Sequence, residues 1–158
     1  MNSQILNEIR FSYLHTYRVA GMSEPWSMKM EATLALLKEQ GIGAILTLTE
    51  DNLYGKDYWA AGFLNHHEPI EDCEPPSAEG MDRAIGFINA CLEEGFGVAV
   101  HCLEGRGRTG TVLAAWLGRQ ESLSPQEAIR RVYDLREHTI ITPTQRCFLD
   151  RYLNGGRG

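Results

Sequence analysis

The stretch His101-Cys102-Leu103-Glu104-Gly105-Arg106-Gly107-Arg108-Thr109-Gly110 holds a cysteine and an arginine separated by five residues, with glycines between them. A turn that enters a helix N-terminus points several backbone N–H groups into one concavity, and the helix dipole makes that concavity a site for an anion. Gly105 and Gly107 let such a loop fold tightly. Arg108 adds a planar fork suited to two phosphate oxygens. A free cysteine ionises near pH 8.5, and a helix N-terminus with an arginine beside it lowers that value, so Cys102 is placed to be a nucleophile. A phosphate held by the main chain of Leu103, Glu104, Gly105, Arg106 and Gly107 and by Arg108 would present phosphorus to sulfur. That geometry favours in-line displacement. The ATP-binding phosphate loop would need GxxxxGK[ST], which is not present.

The flanking elements suit this role. Gly97-Val98-Ala99-Val100-His101 reads as a buried strand, and Thr109 to Arg119 as a helix apolar nearly all round, hence central. Upstream, Phe11 to Ala20 supplies one or two short strands, and Ser23 and Pro25 start a helix over Met28 to Gln40. Ala44 to Leu48 is a buried strand, Asn52 to Gly55 falls in a loop region, and Leu64 to Ile70 is a weaker strand. Ser77 caps a helix whose inner face is Met81, Ile85, Ile88 and Leu92. Ser124-Pro125-Gln126-Glu127 and Thr142-Pro143-Thr144-Gln145 read as capping boxes with proline at the first helical position. Met1 to Arg10 gives no clear signal, and the tail from Asn154 to Gly158 is expected to fray. The alternation predicts a three-layer α/β fold with a central, mostly parallel sheet flanked by helices. Ligands then bind beyond the carboxyl ends of the strands, where the cysteine loop lies.

The chain's 158 residues suit a single domain spanning 1–158, with its core at about 11–153. With 43% apolar and 23% charged residues it reads as an ordinary globular protein. A formal charge of −6 disfavours nucleic-acid and anionic-membrane partners. Cys73, Cys91, Cys102 and Cys147 form no CxxC pair and match no zinc spacing. No signal-peptide pattern or bilayer-length apolar run is present, so a cytoplasmic protein with reduced thiols is expected.

HCLEGRGRTG resembles the HCxxGxxR[ST]G loop of the protein tyrosine phosphatase superfamily. The resemblance extends from about Tyr17 to Tyr152. The compact length, the RVAGM segment, the LTLTE strand end and the short acidic loop look like the atypical dual-specificity branch. The resemblance implies the cysteine-phosphatase fold and two-step hydrolysis of phosphomonoesters through a phospho-cysteine on Cys102. It implies no metal or organic cofactor. It places the general acid about thirty residues before the cysteine, where Asp72 stands in Ile70-Glu71-Asp72-Cys73-Glu74-Pro75-Pro76; Glu71 and Glu74 compete for the role. It gives Thr109 the task of stabilising the sulfur as a leaving group. His101 is then a supporting residue that hydrogen-bonds the loop. Gln145 has two readings of equal standing, a positioner of the hydrolytic water and the third residue of a capping box.

The expected partner is a phosphoprotein or phosphopeptide acting as substrate, with phosphotyrosine reaching furthest into a shallow site; a monomer without nucleic-acid or membrane partners is expected. Within the same superfamily, phosphoinositide, inositol phosphate or RNA 5′-triphosphate is the competing substrate, though Arg106 alone, beside Glu104, is a poor basic rim for a polyanion. A phosphate-binding pseudo-phosphatase would be expected to lack the cysteine, the arginine or the acid, and a rhodanese-like sulfur transferase would need neither the RTG ending nor a separate acid. Arg106 either adds potential at the rim or pairs with a carboxylate. His66 and His67 read as a partly exposed strand end. Cys73 beside the acid raises the hypothesis of an oxidative disulfide with Cys102, against a plain surface role.

Overall fold

Val98, Ala99 and Val100 are all fully buried, which requires apolar cover on both faces of their strand. The computed structural model, which describes residues 2–14 and 16–154, supplies that cover. Five strands, β1 (Ser12–Tyr13), β2 (Val19–Met22), β3 (Ile42–Thr47), β4 (Leu64–His67) and β5 (Gly97–His101), form one sheet in the order β1-β2-β5-β3-β4. Among the described residues only the β1–β2 pairing is antiparallel. Seven α-helices among the described residues surround it: α1 (Asn2–Glu8), α2 (Met30–Glu39), α3 (Gly55–Ala60), α4 (Ala78–Glu93), α5 (Gly107–Glu121), α6 (Pro125–Leu135) and α7 (Pro143–Leu153).

The two-residue period of a strand sorts the core into two halves. Ala44, Leu46, Val98 and Val100 point to one face and pack with Met81, Ile85 and Ile88 of α4 and with apolar residues of α5, α6 and α7. Ala20, Met22, Ile45 and Ala99 point to the other face, where Leu34 and Leu37 of α2, Tyr58 of α3 and Ile9 cover them. The predicted three-layer α/β architecture is borne out, and α5 is central, buried without interruption from Arg108 to Gly118.

Several boundaries differ from expectation. α2 does not start at Ser23: that residue is buried and its N–H bonds Ile9 O, so the chain runs on through a 3₁₀ turn at Ser27–Lys29 before α2 begins. α1 and α3 were not expected; α1 buries no residue and α3 has only six, so neither leaves a periodic apolar signature. α5 begins at Gly107, placing Arg108 in its first turn. At α7 the capping box is complete, whereas at α6 the Ser124 hydroxyl accepts from Glu127 N and bonds the Glu127 carboxylate, so only half of a box forms. Residues 155–158, most of the tail expected to fray, lie outside the described residues. No helix among the described residues is long and apolar enough to cross a membrane.

Candidate active site

β5 ends at His101, and the chain turns at once into the cysteine loop. His101 follows Ala99 by two residues and so faces the α2/α3 layer, fully buried. Its Nδ1 lies 3.1 Å from the Cys102 carbonyl, which can only accept, so Nδ1 carries the proton. Nε2 then accepts from the hydroxyls of Thr47, at 3.0 Å, and Tyr58, at 3.1 Å. Burial pushes the imidazole down to about 4, so it stands neutral, a fixed clamp on the first peptide of the loop.

Cys102 is 3% exposed, and Thr109 Oγ1 donates to its sulfur at 3.2 Å from the first turns of α5. Gly105 adopts φ +73°, and a Cβ there would lie 2.5 Å from Met22 O, so the crest of the loop admits only glycine. The crest is braced from beneath by Arg136, a residue sequence reasoning passed over. This arginine is 2% exposed. Nη2 donates to Gly105 O at 2.8 Å, while Nη1 donates to Gly21 O at 2.7 Å, Ser12 Oγ at 2.6 Å and Arg10 O at 3.1 Å. Burial pulls this guanidinium down to about 10, and Cys102 acts in the opposite direction. Gly21 leaves it room, since a Cβ there would meet Arg136 Cζ at 2.7 Å. The Gly105 carbonyl is thereby held toward Arg136.

Arg108 is 4% exposed. Nη1 donates to Glu50 Oε1 at 2.6 Å and to Ile70 O at 2.9 Å. Nη2 lies 3.4 Å from Asp72 Oδ1. Glu50, just past the end of β3, is the second residue the sequence did not single out. Bonds from its own backbone N–H and from Arg108 hold its carboxyl below the usual range, and it also accepts from Asp72 N at 3.3 Å. One carboxylate thus orients both the arginine and the backbone of the acid loop.

The structure therefore brings Arg108 and Asp72 to one mouth of about 300 Å³, whose wall also includes Glu24, Asp51 and Leu103, and ties the Cys102 sulfur to Thr109, the residue that follows Arg108. Of the three acidic candidates in the loop, Asp72 is the one paired with Arg108; Glu71 and Glu74 have no ion pair among the described residues. The loop leans on the start of α7: Cys73, at φ +67°, offers its carbonyl to the hydroxyls of Thr142 and Thr144, and Gln145 Nε2 donates to Glu74 O. Gln145 Oε1 accepts from Thr142 N. The cap that was one of its two readings is formed through Oε1, and Nε2 adds a further task, tethering the acid loop.

The remaining candidates take structural places. Arg106 Nε lies 3.9 Å from Glu104 Oε2, a loose pair with its own loop neighbour. His66 is bonded to Glu68 and stacked on Phe87, and His67 Nε2 donates to Thr49 O. Cys73 is exposed and Cys102 buried, both as free thiols.

Residues 20–122, more than half of the chain, match the family model described as polymorphic toxin system, DSP-PTPase phosphatase. An uncharacterized protein of Methanocaldococcus jannaschii is 41% identical over 85 residues, covering 54% of this chain and 56% of that one. A phosphatidylglycerophosphate phosphatase of Arabidopsis thaliana is 29% identical over 120 residues, covering 73% and 53%. A dual specificity protein phosphatase of Homo sapiens is 30% identical over 115 residues, covering 73% and 19%. The chain spans about half the length of the first two of these curated relatives and less of the third. The crystal structure of Tk-PTP in the active form superposes with a TM-score of 0.80 at 28% identity, covering 91% of this chain and 96% of that one.

Proposed function

The chain belongs to the DSP-PTPase phosphatases, and from that premise we propose that it hydrolyses phosphotyrosine in polypeptides, with phosphoserine and phosphothreonine also admitted, through a phospho-cysteine on Cys102. The observation that carries the reading is Arg108 and Asp72 paired at one open mouth, with the buried Cys102 sulfur bonded to the hydroxyl of Thr109, the residue next to Arg108.

In the first step the Cys102 thiolate attacks phosphorus while the loop's N–H groups and Arg108 hold the non-bridging oxygens. The bond from phosphorus to the leaving oxygen breaks, and Asp72 gives that oxygen its proton. In the second step water attacks the phospho-cysteine and Asp72, now a carboxylate, takes the water's proton. The S–P bond breaks, and the Thr109 hydroxyl donates to the departing sulfur. His101, Glu50, Arg136 and Gln145 act only through the groups they hold in place.

A second substrate reading has its own support. A phosphatidylglycerophosphate phosphatase is among the relatives, and a lipid headgroup monoester would fit the same chemistry. Carboxylates of Glu24, Asp51 and Asp72 on the mouth's wall favour the peptide over an anionic lipid surface.

The test sets wild type beside Cys102→Ser on a phosphotyrosine peptide, a phosphoserine peptide and phosphatidylglycerophosphate. Expected are fastest turnover of phosphotyrosine, an acid-quenched phospho-cysteine in wild type, and loss of turnover by at least about 10⁴-fold in the variant. Turnover that survives Cys102→Ser overturns the mechanism; turnover of the lipid alone overturns the substrate.

A further inference from the structure

Beside the mouth runs a second depression that the reaction does not use. It is a groove of about 460 Å³ whose lining includes Glu8, Arg10, Glu24, Trp26, Tyr54 and Leu103. Glu24 and Leu103 line the mouth as well, so the two adjoin along that rim. Of the eight large apolar side chains exposed among the described residues, Trp26, Met28, Leu53 and Leu103 border one depression or the other. Apolar exposure concentrated around a site marks a surface that meets a partner.

The charges there are unequally settled. Glu8 is neutralised by Lys29 at 2.9 Å. Glu104 has Arg106 at 3.9 Å. Arg10 donates Nη1 to the main-chain carbonyl of Glu104 at 3.0 Å, which fixes its position at the Glu104 end of the groove but leaves its charge in place. Glu24 has no ion pair among the described residues, although it is half-buried and held against the cysteine loop by its own N–H bond to Leu103 O at 3.0 Å. Burial pushes its carboxyl up, with Arg108 opposing. A half-desolvated carboxylate with no ion pair among the described residues, beside an exposed tryptophan at 66% and a tyrosine, favours a cation on a long apolar stem.

We infer that the groove is the subsite for a side chain flanking the phosphotyrosine, and that it selects lysine or arginine. The stem lies against Trp26 and Tyr54, and the charged head meets Glu24. An extended peptide advances about 3.3 Å per residue, so a residue one or two positions from the phosphotyrosine spans the shared rim. The inference rests on the peptide reading of the preceding subsection. An anionic lipid surface would meet the same apolar rim and the cation of Arg10, but would bring negative headgroups against Glu24, Glu104 and Asp51, and is disfavoured for that reason.

The test uses the full chain and phosphotyrosine peptides that differ only in carrying Lys, Gln or Glu beside the phosphotyrosine, on either side. For wild type, kcat/KM is expected to be about five- to tenfold higher for Lys than for Glu on one side, mainly through KM, and the preference should shrink with added salt. Each variant is normalised to its own Gln peptide. Glu24→Gln should erase the preference, Glu24→Lys should invert it, and Trp26→Ala should reduce it. Equal turnover of all three peptides by wild type overturns the subsite while leaving the phosphatase reading intact, as does a preference that survives Glu24→Gln. Turnover of phosphatidylinositol monophosphate in phosphatidylcholine vesicles, with none of any peptide, overturns the peptide reading and the subsite together.

Discussion

The loop that carries Cys102 and the loop that carries Asp72 meet at Arg108, yet they are built on different plans. The first has its sulfur buried and is held from below by buried groups: the neutral His101 on its first carbonyl, Arg136 on its crest, Thr109 on its sulfur. The second is exposed, with the Asp72 side chain 70% accessible, and is tied at its edge to α7 and Glu50. The difference follows the chemistry. A site that stabilises charge must not reorganise as the charge develops. A group that delivers a proton needs to reach only one oxygen and must leave room for the substrate.

The contrast makes graded predictions. The largest concerns the exposed side. Asp72→Asn should lower kcat for phosphoserine peptides by about 10²–10⁴-fold, and far less for p-nitrophenyl phosphate, whose leaving group needs little help. Equal losses on both substrates would mean that Asp72 holds geometry and does not donate.

Next is the buried side, read as stability. His101 titrates at about 4 in the fold against an ordinary 6.5. Its neutral form contributes fully above pH 6.5, and the contribution drains away as pH falls through that window to about 4, because the unfolded chain takes up the proton first. Urea titrations should therefore show wild type losing about 3 kcal/mol more than His101→Gln on going from pH 7.5 to 4. Parallel losses in the two proteins would show the clamp to be electrostatically idle.

Smaller is Arg136→Lys, which keeps the charge and loses the fork. A displacement of the crest should cost about ten- to a hundredfold in kcat/KM and weaken inhibition by inorganic phosphate in step. The acid limb of the pH profile should also move, which a merely loosened core would not do. Smallest is Thr144→Ala, which removes one of several tethers of the acid loop. A loss of roughly 0.5–1.5 kcal/mol in transition-state stabilisation of phosphoserine turnover is expected, with phosphate inhibition unchanged. Should phosphate inhibition change as well, the two loops are not as separate as their construction implies.

The same division decides what the sequence made readable. The cysteine loop is contiguous: strand, turn, glycines and helix lie side by side in the chain, so their joint chemistry can be read from spacing. The layering was readable for a similar reason, since Val98 to Val100 and the α5 run are apolar on every side. Asp72 was reached by resemblance, because nothing in Ile70 to Pro76 alone separates it from Glu71 and Glu74. Glu50 and Arg136 were not reached. Each works through space, on Arg108 across 58 positions and on Gly105 across 31. An arginine just past a helix end reads as a solvated partner of the dipole, not as a buried strut. Gly21 was the available clue: a glycine inside a strand signals close approach by another group.

The cap of α7 has a further consequence. Thr142 and Gln145 start that helix and also hold the chain beside Asp72. A polypeptide leaving the ribosome exposes Cys102 and Arg108 about forty residues before it exposes these two. Arg136, the brace of the sulfur cradle, emerges only six residues before Thr142, so the cradle and the mooring of the proton donor are completed almost together, and full competence toward alkyl esters waits for α7 to dock.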